Sequence, residues 1–321
     1  MAKDLDCVLC GSCVVDILVR PVPLEHPIGG GRLLHAEPIR VTTGGIVSNA
    51  GVTMARLGMR SAAFSYVGND DWAPVIRRRY ESEGVDCRGL LTHPTAATST
   101  TAVLIDPSGE RSLAHCVGAP KLMDKFLFLE HLDLFARSRM MLIGYYSLMP
   151  NLENDLPEVL AAIRRTGCQT AIDAAGDGGG MTPLDRILPH VDVYVPSYHE
   201  GVHQTGFDDP RRILDAYRQC GAPGLLGVKL GSKGAMLSPA AGQYVEIDCV
   251  PAPGPVVDTT GAGDCFFAGL LTGLLRGMDV AAAGRLAAAT GACCVTGCGA
   301  TTGIRDFNET AALADACFAN P

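Results

Sequence analysis

The chain has 321 residues, a net charge of −8 and 47% hydrophobic residues. This length suits one large α/β domain or two ordinary ones, and the composition excludes wholesale disorder. The acidic balance argues against a nucleic-acid partner. The one tight basic run, Arg77 to Arg79, reads as a solvated helix face. The apolar stretch Cys7 to Val19 is broken by Asp16 and too short to span a bilayer, and "MAKDLD" lacks the apolar segment of an export signal. Thirteen cysteines are scattered, and an odd number argues against a closed disulfide framework, so a cytoplasmic home is expected. Cys7 and Cys10 form a C-x-x-C, but on a strand its side chains diverge, so it is a weak metal signal.

In chain order, residues 6–19 read as a buried strand, a Gly-Ser turn and a second extended piece. Residues 20–40 read as loop with a short strand. The loop "TTGG" then opens a helix that stops at Gly58. A strand over 61–68 and a helix over 70–84 follow. The runs 98–105 and 111–117 flank "DPSGE", the turn chemistry of a β-hairpin, which suggests a small antiparallel sheet outside the main one. Further strands are expected at 139–145, 168–173 and 192–197, with helices at 152–166 and 209–220. "GLLGVKLGSKGAML" reads as strand, glycine turn and strand. Helices are expected at 280–294 and near 310–318. Alternating strands and helices predict a three-layer α/β/α fold with a mostly parallel sheet. Ligands of such sheets bind beyond the carboxyl ends of the strands. The glycine turns at 44–45, 176–180, 231–234 and 261–263 therefore mark the expected site.

The most informative stretch is "DTTGAGDCFFAGL", 258–270. Gly261, Ala262 and Gly263 at a helix start leave unpaired amides facing outward, where the helix dipole and small side chains favour an anion. Asp264 beside such a hole is either an acid in the first helical turn or a base for a hydroxyl that attacks a phosphate. No Walker A loop and no dinucleotide G-x-G-x-x-G after the first strand occurs, so a nicotinamide enzyme is disfavoured.

"DTTGAGDCFFAGL" resembles the C-terminal signature of the ribokinase-like (PfkB) carbohydrate kinase family, and "GGIVSNAGVTMARLG" with "YVGNDDWA" resembles the N-terminal one. "GSCVVD" is similar to the opening strand of that family and "VTGCGATTG" to its terminal loop, so the likeness covers nearly the whole chain. The resemblance implies one ribokinase-like domain over 1–321, with a β lid from parts of 12–43 and 98–117. It implies an ATP-dependent kinase of a small sugar. Asp264 would be the general base and the amides of Gly261, Ala262 and Gly263 the anion hole. Asp16, Gly44, Gly45 and Asn49 would hold the sugar. Lys229, Gly231, Ser232 and Gly263 would meet the nucleotide. Glu200 would position Mg2+ through water, and Asp258 and Thr260 would hold a monovalent cation such as K+. A homodimer through the lid, with no nucleic-acid or membrane partner, completes the expectation. The alternatives are a nucleoside kinase of the same fold and a non-catalytic sugar or ATP sensor.

Two departures stand out. Relatives carry Asn-x-x-Glu where this chain has Ser197 three residues before Glu200, and the Asp-x-Asn-x-Arg pattern of keto-sugar and acidic-sugar kinases is replaced by "DAAGDGGG". For Arg111, at the hairpin, solvation of an edge strand is preferred over contact with substrate.

Overall fold

The computed structural model describes residues 3–25, 31, 33–174 and 179–318. Among these the strands are β1 Leu5–Gly11, β2 Val14–Val19, β3 Arg40–Gly44, β4 Ser61–Val67, β5 Asp86–Thr92, β6 Ser99–Ile105, β7 Arg111–Cys116, β8 Ser138–Gly144, β9 Gln169–Asp173, β10 Val193–Tyr194, β11 Leu225–Lys229, β12 Ala235–Ser238 and β13 Val245–Ile247.

Nine strands form one sheet in the order β13-β12-β11-β10-β9-β8-β1-β4-β5. Pairing is parallel from β11 to β5 and antiparallel at β12 and β13. β1, buried along its whole length, sits inside this sheet because "LDCVLCG" is apolar on both faces. One face packs against the helices Gly45–Arg56, Ala262–Leu275 and Val280–Cys294; the other packs against Leu156–Arg165 and Pro210–Gln219. Cys7 lies in the first of these cores and Cys10 in the second, so the C-x-x-C cannot act as a pair.

The second sheet has the order β3-β2-β6-β7 and forms a lid. It is mixed rather than antiparallel: β6–β7 is the expected hairpin, but β2 and β6 run parallel. Its register aligns Thr42, Asp16, Thr101 and His115 in one row. Laterally paired residues share a face, and Arg111, opposite Ile105, lies on that same face.

Several elements differ from expectation. Thr42 to Gly44, read as loop, end β3, because this segment completes the lid by pairing with β2. β5, β13 and the helices Lys125–Glu130, Met181–Ile187 and Tyr198–Thr205 were not anticipated. Within "DCRGLLT" an arginine and a glycine break the apolar run that would have marked β5. Of the glycine turn at 176–180, residues 176–178 lie outside the described residues.

Candidate active site

The helix Ala262–Leu275 begins beside the carboxyl ends of the central strands. Its N-cap, Gly261, is left-handed (φ +75°), and a Cβ there would stand 2.4 Å from the Ala300 Cβ and 3.2 Å from the Asn49 amide nitrogen. Only glycine fits there, and the Ala262 amide that follows donates to the Thr259 carbonyl at 3.3 Å. Asp264 is buried in the first turn, and both of its hydrogen bonds go to side chains. Oδ2 accepts from Asn49 Nδ2 at 2.7 Å and from the Tyr145 hydroxyl at 2.8 Å. The carboxylate therefore does not cap its own helix. Burial pushes its carboxyl above the usual range, while Asn49, Lys229 and Tyr145 pull the other way.

Lys229, at the end of β11, pairs with Asp173, at the end of β9, at 2.8 Å. The parallel register of these strands brings the two charges to one edge. Asp173 is buried and its Oδ2 has no partner. Burial, with Asp264 and Glu200 nearby, pushes its carboxyl up to about 7 against the pull of Lys229. Burial also opposes the Lys229 ammonium, but Asp173 and Glu200 outweigh it and hold the amine above its ordinary value. The Lys229 amine lies 3.5 Å from where a Cβ on Gly263 would be, so it flanks the helix start.

A cavity of about 400 Å³ opens on the far side of that helix start. Lys229, Gly231, Ser232, Ala262 and Gly263 form one end, and Pro251, Phe266, Ala288, Ala292 and Val295 make apolar walls. Lys233 lies outside it, in the short 3-10 turn Gly231–Lys233.

On the lid side, Asp16 faces Gly44 so closely that a Cβ on Gly44 would lie 2.2 Å from Asp16 Oδ2. Gly45 has φ +79°, and a Cβ there would meet the Ser12 carbonyl at 2.5 Å. Burial raises the Asp16 carboxyl, tempered by Thr101 and His115. Asn49 is buried with its Oδ1 unpartnered. Because Gly44 has an ordinary φ of −133°, Gly44→Ala strains no backbone and simply displaces the Asp16 carboxylate. On the role that the resemblance implies for Asp16, the variant should raise KM for the acceptor about tenfold and leave KM for ATP unchanged. An unchanged acceptor KM would remove Asp16 from the acceptor pocket.

One expectation is corrected. Arg111 does not merely solvate an edge strand. It crosses the cleft, donating to Asp258 Oδ1 at 2.8 Å and to the Thr260 hydroxyl. Asp258 also accepts from the amides of Thr260 and Gly299, both at 2.9 Å. Burial would raise its carboxyl, but these donors hold it low. Glu200, in turn, has a local role: with Ser197 it forms a capping box on the helix Tyr198–Thr205, in which its Oε2 accepts from the Ser197 amide at 2.6 Å.

Sequence reasoning missed Tyr145 and Asp173. Tyr145 lies in no recognisable motif, and Asp173 is the retained first residue of the otherwise replaced Asp-x-Asn-x-Arg pattern; only the parallel register shows that β8 and β9 end beside Asp264.

This is a three-layer α/β protein with a β lid over the carboxyl ends of its strands and a buried carboxylate between the two. The chain belongs to the pfkB family of carbohydrate kinases, whose family model matches residues 5–306. It is 32% identical over 276 residues to a fructokinase from Klebsiella pneumoniae, covering 82% of each chain. It is 30% identical over 316 residues to a fructokinase from Salmonella typhimurium, covering 93% of this chain and 97% of the relative. Its fold is similar to Arabidopsis thaliana ribokinase solved with ribose and ATP (TM-score 0.80, 24% identity, 98% and 99% of the two chains). A similar likeness holds for an E. coli protein solved with ATP and Mg2+ (TM-score 0.82, 22% identity, 97% and 99%). No helix among the described residues is long and apolar enough to cross a membrane.

Proposed function

We propose that the protein transfers the γ-phosphate of ATP to a hydroxyl of a small sugar, with Asp264 as general base. The observation that carries this is the position of the buried Asp264 carboxylate. It stands in the first turn of the helix that borders the 400 Å³ cavity and is bonded to Asn49, whose own helix starts at the lid's Gly44 and Gly45, beside Asp16. The acceptor oxygen attacks the γ-phosphorus, the bond to ADP breaks, and the hydroxyl proton passes to Asp264. The amides of Gly261, Ala262 and Gly263 would receive the transferring group, that of Ala262 by giving up its hydrogen bond to the Thr259 carbonyl. Lys229, Gly231 and Ser232 hold the nucleotide, whose base suits the apolar walls. Asp16, Gly44, Gly45 and Asn49 form the sugar pocket, where Asn49 Oδ1 offers an acceptor.

Mg2+, when bound with ATP, would screen the phosphate charge. Among the described residues no cluster of three or more metal-ligating side chains exists, which suits an ion held mainly by phosphates and water. Glu200, fixed by its capping box, would reach it through water. The Asp258 carboxylate does not fit a monovalent cation, because Arg111 and two amides already occupy its oxygens.

The test is a panel of D-fructose, D-ribose, other hexoses and nucleosides with MgATP, following ADP release. A sugar is expected to give the highest kcat/KM. A nucleoside doing so would move the assignment to the nucleoside kinase alternative, and no acceptor above background would favour the sensor.

Residence in the cytosol is supported by the thirteen cysteines, all unpaired. Dimerisation through the lid is supported by Val41, an apolar residue of β3 that is 49% exposed. Sedimentation velocity is expected to show a dimer that Val41→Asp converts to monomer. A monomeric parent would end this reading.

A further inference from the structure

Tyr145 is the one non-glycine residue with positive φ among the described residues (φ +61°, ψ +39°). That conformation is unfavourable for a side chain with a Cβ, and such outliers gather at functional sites. Here the surroundings over-determine it. The residue follows β8 directly, and its amide donates to the Asp173 carbonyl at 3.1 Å. Its carbonyl accepts from Leu148 at 2.9 Å, starting a 3-10 turn. Gly144 before it cannot be replaced by a larger residue, since a Cβ there would lie 2.4 Å from an Ile46 side-chain carbon. The left-handed turn sends the Tyr145 side chain back over the strand ends, where its hydroxyl reaches Asp264 Oδ2 at 2.8 Å.

Asn49 donates to the same oxygen, from the opposite side of the site. Two donors on one carboxylate oxygen fix the plane of the group and leave the other oxygen for a further partner. We propose that Tyr145 is a positioning residue for phosphoryl transfer: with Asn49 it anchors Oδ2 of Asp264, so that Oδ1 faces the acceptor hydroxyl. The proposal rests on Asp264 being the base.

The charged groups around Asp264 are Lys229 from β11, Asp173 from β9 and Glu200 from the helix Tyr198–Thr205; the neutral donors are Asn49 and Tyr145. Loss of one donor to the charged form, with burial and the two neighbouring carboxyls unchanged, makes Asp264 keep its proton to higher pH.

The experiment uses the full chain labelled with 13C at the aspartate carboxyl carbon, with the Asp264 signal identified by its loss in Asp264→Asn. In Tyr145→Phe the Asp264 titration is expected to move about one pH unit upward. With the best acceptor of the panel, kcat should fall roughly tenfold and the acid limb of the pH–rate profile should move by the same amount. A titration and limb that stay where they are in the parent overturn the proposal. If Tyr145→Phe fails to fold, replacing all tyrosines by 3-fluorotyrosine, a stronger donor, is expected to lower the same titration, and no change there overturns it too. Failure of the underlying reading looks different: Asp264→Asn would then turn over normally, whatever the NMR titration shows.

Discussion

Asp264→Asn is expected to lower kcat by about 10²–10⁴-fold with the ATP KM little changed. The exchange is isosteric, and the amide oxygen can still accept from Asn49 and Tyr145. The exchange leaves Lys229 and the helix start where they are, so on the proposed roles binding should survive while proton removal is lost. A kcat within threefold of the parent would remove Asp264 from the role of base. The same variant carries a second signature. The folded-state carboxyl of Asp264 lies above its ordinary value, so its ionisation costs stability, and that cost grows as pH rises through the folded value. Removing the charge is therefore expected to raise the thermal midpoint at pH 8, the mark of an active site that trades stability for chemistry. In the parent, activity should fall as pH drops through that raised value.

Lys229→Met is expected to destabilise the fold by about 3 kcal/mol at pH 8. Methionine keeps the apolar stem near the Phe267 ring but leaves Asp173 buried without its counter-ion. In the parent, the Asp173 carboxyl sits at about 7 when folded, against an ordinary value of 3.8. The folded state thus binds the extra proton between those values, and stability falls as pH rises across that window. Without Lys229 the carboxyl keeps its proton to still higher pH, so the fall continues beyond neutrality. Lys229 titrates above 10.5, so its own contribution is fully present throughout. Urea unfolding of variant and parent should therefore differ little at pH 5 and most at pH 8. An equal difference at both would show that Asp173 is not the group left unpaired.

Much of this was legible from residues alone. The strand–helix alternation gave the layers, and the small residues before Asp264 gave the helix start. Other features depended on contacts between distant segments. Lys229 and Asp173 meet only because β9 and β11 flank β10. Arg111 lies far from Asp258 in the chain and reaches it only because the lid closes over the cleft. Tyr145 owes its role to a backbone conformation that no pattern of side chains announces. The capping box of Ser197 and Glu200 is a different case. Its S-x-x-E spacing is local and readable in the sequence.

The lid is built from two pieces of chain. Val14 pairs with Ser99, so the hairpin-like pair β2 and β3 needs β6 and β7 before the four-stranded lid is complete. All four strands nonetheless leave the ribosome well before Lys229 and the helix that starts at Ala262. In a chain made from its N-terminus, the cover over the acceptor is complete before the proposed nucleotide cavity exists. A chain that stops before Lys229 therefore carries all four lid strands but lacks Lys229 and the helix start that border the proposed nucleotide cavity.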